Sequence, residues 1–143
     1  MRIDTTRFGL LDMEEALFIH FPWGIPGFER IKRYVLLEQG QGSFQWLQAV
    51  DEPTVAFVVC PPENLGFTYR VPEDKGKAIA LEKWEDLLVL IMVSFDRKET
   101  AVRPHLRGPL LFNVSARQAY QWTIDSRELE KYVKTKSLAP VQE

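Results

Sequence analysis

What most limits the fold of this chain is the shortness of its apolar runs. Stretches at residues 2–6, 10–11, 17–21, 33–38, 44–50, 55–60, 67–71, 87–95, 110–114 and 118–124 are separated by turns rich in proline, glycine, aspartate and serine. Runs of this length, carrying valine, isoleucine and aromatic residues, read as strands. Leu17, Ile19 and Phe21 recur with the two-residue period of one strand face, with Phe18 and His20 on the other. Residues 55–60 and 87–95 are apolar on both faces, as expected of central strands covered from two sides. For 87–95 the length favours a strand, although periodicity alone leaves a helix open.

The connections are predicted by their chemistry. Residues 39–43, Gln-Gly-Gln-Gly-Ser, predict a flexible hairpin connection, and the polar stretch 72–84 predicts a loop with one helical turn. Residues 100–109 place Arg103, His105 and Arg107 among Pro104, Gly108 and Pro109, which predicts an exposed loop. In 118–124, Tyr120, Trp122 and Ile124 share a face. Asp125 or Ser126 then offers a helix N-cap, with Glu128 in the first turn, Leu129 and Val133 at i and i+4, and Lys131, Lys134 and Lys136 toward the end. The expected fold is mainly β: a single-domain antiparallel β-barrel-like fold over residues 1–125, then a short C-terminal α-helix and frayed tail over 126–143.

The least ordinary stretch is 17–29, Leu-Phe-Ile-His-Phe-Pro-Trp-Gly-Ile-Pro-Gly-Phe-Glu. Two prolines fix φ and remove donors, and two glycines supply positive φ cheaply, so Trp23, Ile25 and Phe28 are held in an irregular loop. Connections normally run through water and are polar. An apolar loop of this kind either plugs one end of the β structure or waits for a partner, and packing is the first expectation.

Composition narrows the function. At 143 residues the chain is long enough for one domain with a core of its own. Its one cysteine, Cys60, excludes an internal disulfide and fits a reducing compartment. The first residues lack the apolar core of a secretory signal, and the apolar run at 87–93 is far too short to span a membrane, so a cytoplasmic protein with no membrane contact is expected. One cysteine and two histidines supply no zinc set, and neither a phosphate loop nor a dinucleotide fingerprint occurs. Cys60 with His20 or His105 is the one conceivable nucleophile and base pair, but a cysteine ending an apolar strand reads as buried and structural. No catalytic site, metal or cofactor is expected.

Net charge is −2, which gives no general drive toward nucleic acid. Residues 1–99 carry five more acidic than basic side chains, and residues 100–143 three more basic than acidic. The basic stretch of Arg103 and Arg107, with Arg117 and the aromatics Phe112, Tyr120 and Trp122, keeps an alternative open: a small nucleic-acid-binding β-barrel that stacks bases beside a basic groove.

The nine residues Phe21-Pro-Trp-Gly-Ile-Pro-Gly-Phe-Glu29 resemble the signature of the bacterial flagellar assembly factor FliW family. Arg7-Phe8-Gly9 resembles the opening turn of that family. Phe44-Gln-Trp-Leu-Gln48, with Asp51, Pro53 and Ala56-Phe-Val-Val59, resembles its central hairpin, and Pro109-Leu-Leu-Phe-Asn113 with Arg117 and Gln121 its late strand. Departures are Cys60-Pro61-Pro62, where the family commonly has Asp-Pro, and Thr100-Ala-Val-Arg-Pro-His-Leu106, where Thr-Ala-Asn-Leu is usual. The resemblance implies a binding protein without enzymatic activity, a monomer, whose partners are flagellin and the RNA-binding translational regulator CsrA, with no direct contact to nucleic acid. The candidate partner-binding residues are Trp23, Ile25, Pro26, Phe28 and Glu29 of the loop, with Arg103 and Arg107. The acidic first part of the chain would complement a basic CsrA surface.

Overall fold

The computed structural model describes residues 1–38, 42–96, 98 and 101–135. The hairpin connection expected at 39–43 falls largely outside them, as does the frayed tail. The described residues form twelve strands and two short helices in the order β1 (Arg2–Thr5), β2 (Gly9–Asp12), β3 (Ile19–His20), β4 (Arg33–Glu38), β5 (Gln45–Ala49), β6 (Ala56–Cys60), β7 (Phe67–Tyr69), α1 (Glu73–Lys77), β8 (Leu87–Asp96), β9 (Ala101–Pro104), β10 (Leu110–Asn113), β11 (Gln118–Gln121), α2 (Leu129–Tyr132) and β12 (Val133–Thr135).

The main sheet runs β10-β11-β3-β4-β5-β6-β8-β9, and β10 also pairs with β8. The sheet therefore closes on itself as a barrel, with β9 hanging from it as an extra strand. Closure depends on the length of β8, whose first residues pair with β10 (Leu90↔Leu110) and whose last pair with β9 (Ser94↔Arg103). Among these strands every pairing is antiparallel except the seam, where β11 meets β3 in parallel at Gln118↔His20. Joining the two ends of a barrel removes exposed sheet edges.

Alternation along the strands divides the apolar side chains between the inside and three outer layers. Ile19, Phe21, Tyr34, Leu47, Val59, Leu90, Leu110 and Phe112 form the interior. Outside, Val35 and Val50 are covered by the β1-β2 hairpin through Ile3 and by Phe18. Leu111, Trp122 and Ile124 pack with Ile79, and Leu129 and Tyr132 of α2 close over them. Cys60, Ile91 and Val93 lie beneath Leu65 and Leu106. The two segments apolar on both faces are thus strands, covered on each side along 56–60 and 87–93, whereas Ser94 and Phe95 at the end of β8 are exposed.

Three local expectations are corrected. Leu17 is exposed in a single 3-10 turn (Glu15–Leu17) and does not share the strand face of Ile19 and Phe21. Residues 101–104 are strand β9 and not loop, because Ser94 and Asp96 of β8 supply a pairing partner that local composition cannot reveal. The C-terminal helix is short, as expected, but Val133 does not complete an i,i+4 face: it opens β12, which pairs with β7 at Val133↔Tyr69. The helical turn expected within 72–84 is α1.

Candidate functional site

The loop between β3 and β4 begins at Phe21, whose ring is fully buried and meets Tyr34 and Phe112 edge-on at centroid distances of 4.9 and 5.9 Å. Such pairs add roughly 0.5–1.5 kcal/mol each beyond burial. The Phe21 carbonyl accepts from the Gly24 N–H at 2.9 Å, and the Phe21 N–H donates to the Lys32 carbonyl at 2.8 Å, so the loop leaves and rejoins the barrel at one point.

Gly24 has φ +67°, and a Cβ added to it would lie 2.6 Å from the Glu29 Cα. Only glycine allows that approach. The chain next crosses itself at an Ile25↔Phe28 bridge, and the Phe28 N–H donates to the Ile25 carbonyl. Glu29 locks the turn, its carboxylate accepting from the Gly27 N–H at 2.8 Å. That bond, followed by the Glu29 backbone N–H, holds the carboxyl below its ordinary pKa, with Lys32 adding to the effect.

This geometry separates three residues that the sequence groups together. Ile25 is 1% exposed and belongs to the barrel interior, as the plug reading expects. Trp23 is 57% and Phe28 39% exposed. Phe28 leans on Phe57 at 5.1 Å, and Trp23 faces Tyr120 of β11 at 6.1 Å. Pro26 and Glu29 are exposed beside them.

Two grooves flank the loop. One, of about 350 Å³, is walled by Trp23, Pro26, Glu29, Ala78, Tyr120 and Gln121. Its far wall is rigid: the Tyr120 hydroxyl donates to the Lys75 carbonyl at 2.9 Å, and the Gln121 amide donates to the Gly108 carbonyl at 2.9 Å. Burial pushes the Tyr120 phenol up to about 12, with nearby Asp74 contributing. The other groove, of about 390 Å³, runs from Phe28 and Ile31 to Val55 and carries the carboxylates of Glu29, Asp51 and Glu52 against the one arginine Arg30. Asp51 is bound by Arg33 at 2.6 and 3.0 Å, a forked pair.

The other sequence candidates lie elsewhere. Arg103 is on β9, paired with Asp96 at 2.9 Å. Arg107 donates through Nε to the Ile124 carbonyl at 3.1 Å, and Arg117, at φ +56°, donates to the Leu17 carbonyl across the seam. All three arginines of the nucleic-acid alternative thus serve acceptors within the chain. Cys60 is buried beneath Leu65 and Leu106, and burial followed by Glu63 pushes its thiol above the ordinary value. Both effects oppose a thiolate nucleophile. The His105 ring sits 3.4 Å from Ser94 Oγ. Among the described residues no hydrogen bond joins Cys60 to a histidine, and no group of three His, Cys, Asp or Glu is placed to hold a metal.

Sequence reasoning names Asn113 only as the end of a strand motif and misses its role. It is buried at the end of β10, donating to the Ile79 and Ala80 carbonyls and accepting from the Ser115 and Ala116 N–H groups. Its signal is a polar residue closing an apolar strand, and what it does is tie the segment that carries Ala78 to the barrel.

The family described as FliW protein matches residues 2–135 of the sequence. The chain belongs to the FliW family. The flagellar assembly factor FliW of Geotalea uraniireducens (strain Rf4) is 38% identical over 135 residues, spanning 92% of this chain and 80% of that protein. That of Syntrophus aciditrophicus (strain SB) is 34% identical over 131 residues, spanning 89% and 83%. A crystal structure of the flagellar assembly factor FliW superposes over 100% of both chains with a TM-score of 0.80 at 23% identity, so the barrel of this FliW-family chain is that fold. Among its described residues no helix is long and apolar enough to cross a membrane.

Proposed function

We propose that this FliW-family chain is a flagellar assembly factor that works by binding and not by catalysis. In the cytoplasm, as a monomer, it binds flagellin and antagonises CsrA. The two partners compete for it, so the flagellin level sets flagellin translation. The observation that carries the site is the exposure of Trp23 and Phe28 on a loop anchored by Phe21 and Ile25. Large rings held rigidly in water lose little conformational freedom when a partner covers them, which is how binding hot spots are built.

The apolar groove beside Trp23 suits one face of an amphipathic flagellin segment. The groove beyond Phe28, with Glu29, Asp51 and Glu52, suits a basic RNA-binding surface such as CsrA must carry, and favours fast encounter. Arg103 and Arg107, engaged within the chain, are secondary candidates. The test is co-purification with flagellin and CsrA, separately and in competition, for the chain and for Trp23→Ala combined with Phe28→Ala. Each partner is expected to displace the other from the unchanged chain, and the double variant to lose at least one of them while keeping its circular dichroism spectrum. Normal binding of both by the folded double variant removes the loop from the site. Failure of the unchanged chain to bind either partner overturns the function itself.

A further inference from the structure

On the side of the barrel formed by β6, β8 and β9, β6 and β8 stop pairing before they end. Their ladder runs Cys60↔Ile91, Val59↔Met92, Val58↔Val93 and stops there, although β6 continues to Ala56 and β8 to Asp96. Each strand remains paired on its outer side, Ala56 with Gln48 and Phe95 with Val102. Between the diverging ends lies a cleft of about 380 Å³.

The cleft is apolar at its base and carries one arginine at its rim. Phe57, Val58 and Met92 line it, and Phe95 stands beside it 54% exposed, braced edge-on by Phe44 at 5.6 Å. Trp46 forms the opposite wall and carries the Arg7 guanidinium over its ring at 4.7 Å, with Phe8 edge-on at 5.8 Å. Arg7 is exposed, and His105 also lines the cleft. Among the described residues no carboxylate lines the cleft. The nearest one on β8, Asp96, is engaged by Arg103. This distinguishes the cleft from both grooves at the Trp23 loop, each of which contains Glu29.

Open strand ends recognise another strand. In an antiparallel ladder backbone groups face a given neighbour on alternate residues. The Val55 carbonyl accepts from the Ala49 N–H on β5 and the Met92 carbonyl from the His105 N–H on the β9 side, so by alternation Ala56 and Phe95 turn their N–H and C=O groups toward the gap. An extended chain placed there gains main-chain hydrogen bonds, while its alternate side chains reach the apolar base. A rim with an arginine and no carboxylate favours acidic flanking residues.

We propose that the cleft between β6 and β8 binds an extended segment of a partner protein, apolar at alternate positions and acidic between them, as an added strand. This surface is separate from the Trp23 loop and does not rest on it.

The experiment uses the full chain and a labelled, end-blocked octapeptide alternating valine with glutamate. Companion peptides replace glutamate with lysine, or the central valine with proline, which lacks the donor and breaks a ladder. The glutamate peptide is expected to bind, to slow hydrogen exchange at the Ala56 and Phe95 amides, and to lose binding in Phe95→Asp. In Arg7→Gln it should bind up to about fivefold more weakly, the ceiling for one exposed ion pair. Trp23→Ala should bind it unchanged. The lysine and proline peptides should not bind.

The proposal is overturned if the glutamate peptide fails to bind at millimolar concentration, if the lysine or proline peptide binds equally well, or if the protected amides lie at the Trp23 loop. It is also overturned if the chain alone forms a dimer that Phe95→Asp dissolves, which would assign the cleft to a second copy.

Discussion

Replacing Gly24 by alanine tests whether the loop is held as its geometry requires. The added Cβ would lie 2.6 Å from the Glu29 Cα, 2.7 Å from its carbonyl oxygen and 2.9 Å from its carbonyl carbon, all backbone atoms that cannot rotate away. The left-handed φ costs a residue with a Cβ roughly 1–2 kcal/mol. Forcing the two backbone segments apart adds roughly 1–3 kcal/mol. The expected loss is therefore about 2–5 kcal/mol, a large share of the roughly 5–15 kcal/mol by which domains are stable.

Gly27 is the internal control, because it has φ +89° and a Cβ added there would meet nothing within 4 Å. Gly27→Ala keeps only the conformational cost, offset in part by a stiffer unfolded chain, for a net loss of about 1 kcal/mol. Equilibrium urea unfolding followed by circular dichroism should order the midpoints, from highest to lowest, as unchanged chain, Gly27→Ala, then Gly24→Ala. Equal midpoints for the two variants would refute the close approach of residues 24 and 29. A folded Gly24→Ala protein should also bind partners more weakly, since Trp23 and Glu29 share a groove.

Three further outcomes are expected. Arg33 holds the Asp51 carboxyl below its ordinary pKa, so the pair stabilises the fold above the ordinary carboxylate range and ceases to as pH falls through the lowered value. Both side chains are part-exposed, so Asp51→Asn should cost under about 1 kcal/mol at neutral pH and flatten acid denaturation below about pH 4. The Cys60 thiol should resist a water-soluble disulfide reagent in the native protein and react once urea unfolds it; rapid native labelling would contradict its burial. Asn113→Ala strips four hydrogen bonds from buried or part-buried backbone groups and should destabilise the chain by about 2–4 kcal/mol, measured by the same urea titration.

Elements whose pattern is local and complete were legible in the sequence. Strands β6 and β8 announce themselves by apolar character on both faces, and the loop by its prolines and glycines. What was hidden depends on partners distant in sequence. β9 and β12 are strands because β8 and β7 offer them edges, overriding the turn residues around Arg103 and the continuation of the helical pattern from Leu129 to Val133. The loop was recognisable as a unit, yet the opposite fates of Ile25 and Trp23 follow from the Gly24 backbone and the Ile25↔Phe28 crossing, which spacing alone does not encode. The basic residues at 103 and 107 could be counted, but not their internal acceptors.

The seam between β3 and β11 bears on the order of assembly. Arg117 reaches across one hundred residues of sequence to the Leu17 carbonyl, and its own carbonyl accepts from the His20 N–H. Contacts of such sequence separation form late, because the intervening chain must first be ordered. On the ribosome, Trp23 emerges long before Tyr120 and Gln121, the wall it faces. The groove beside Trp23 therefore exists only in a finished, closed barrel, and a partner that needs both walls registers completed molecules and passes over nascent ones.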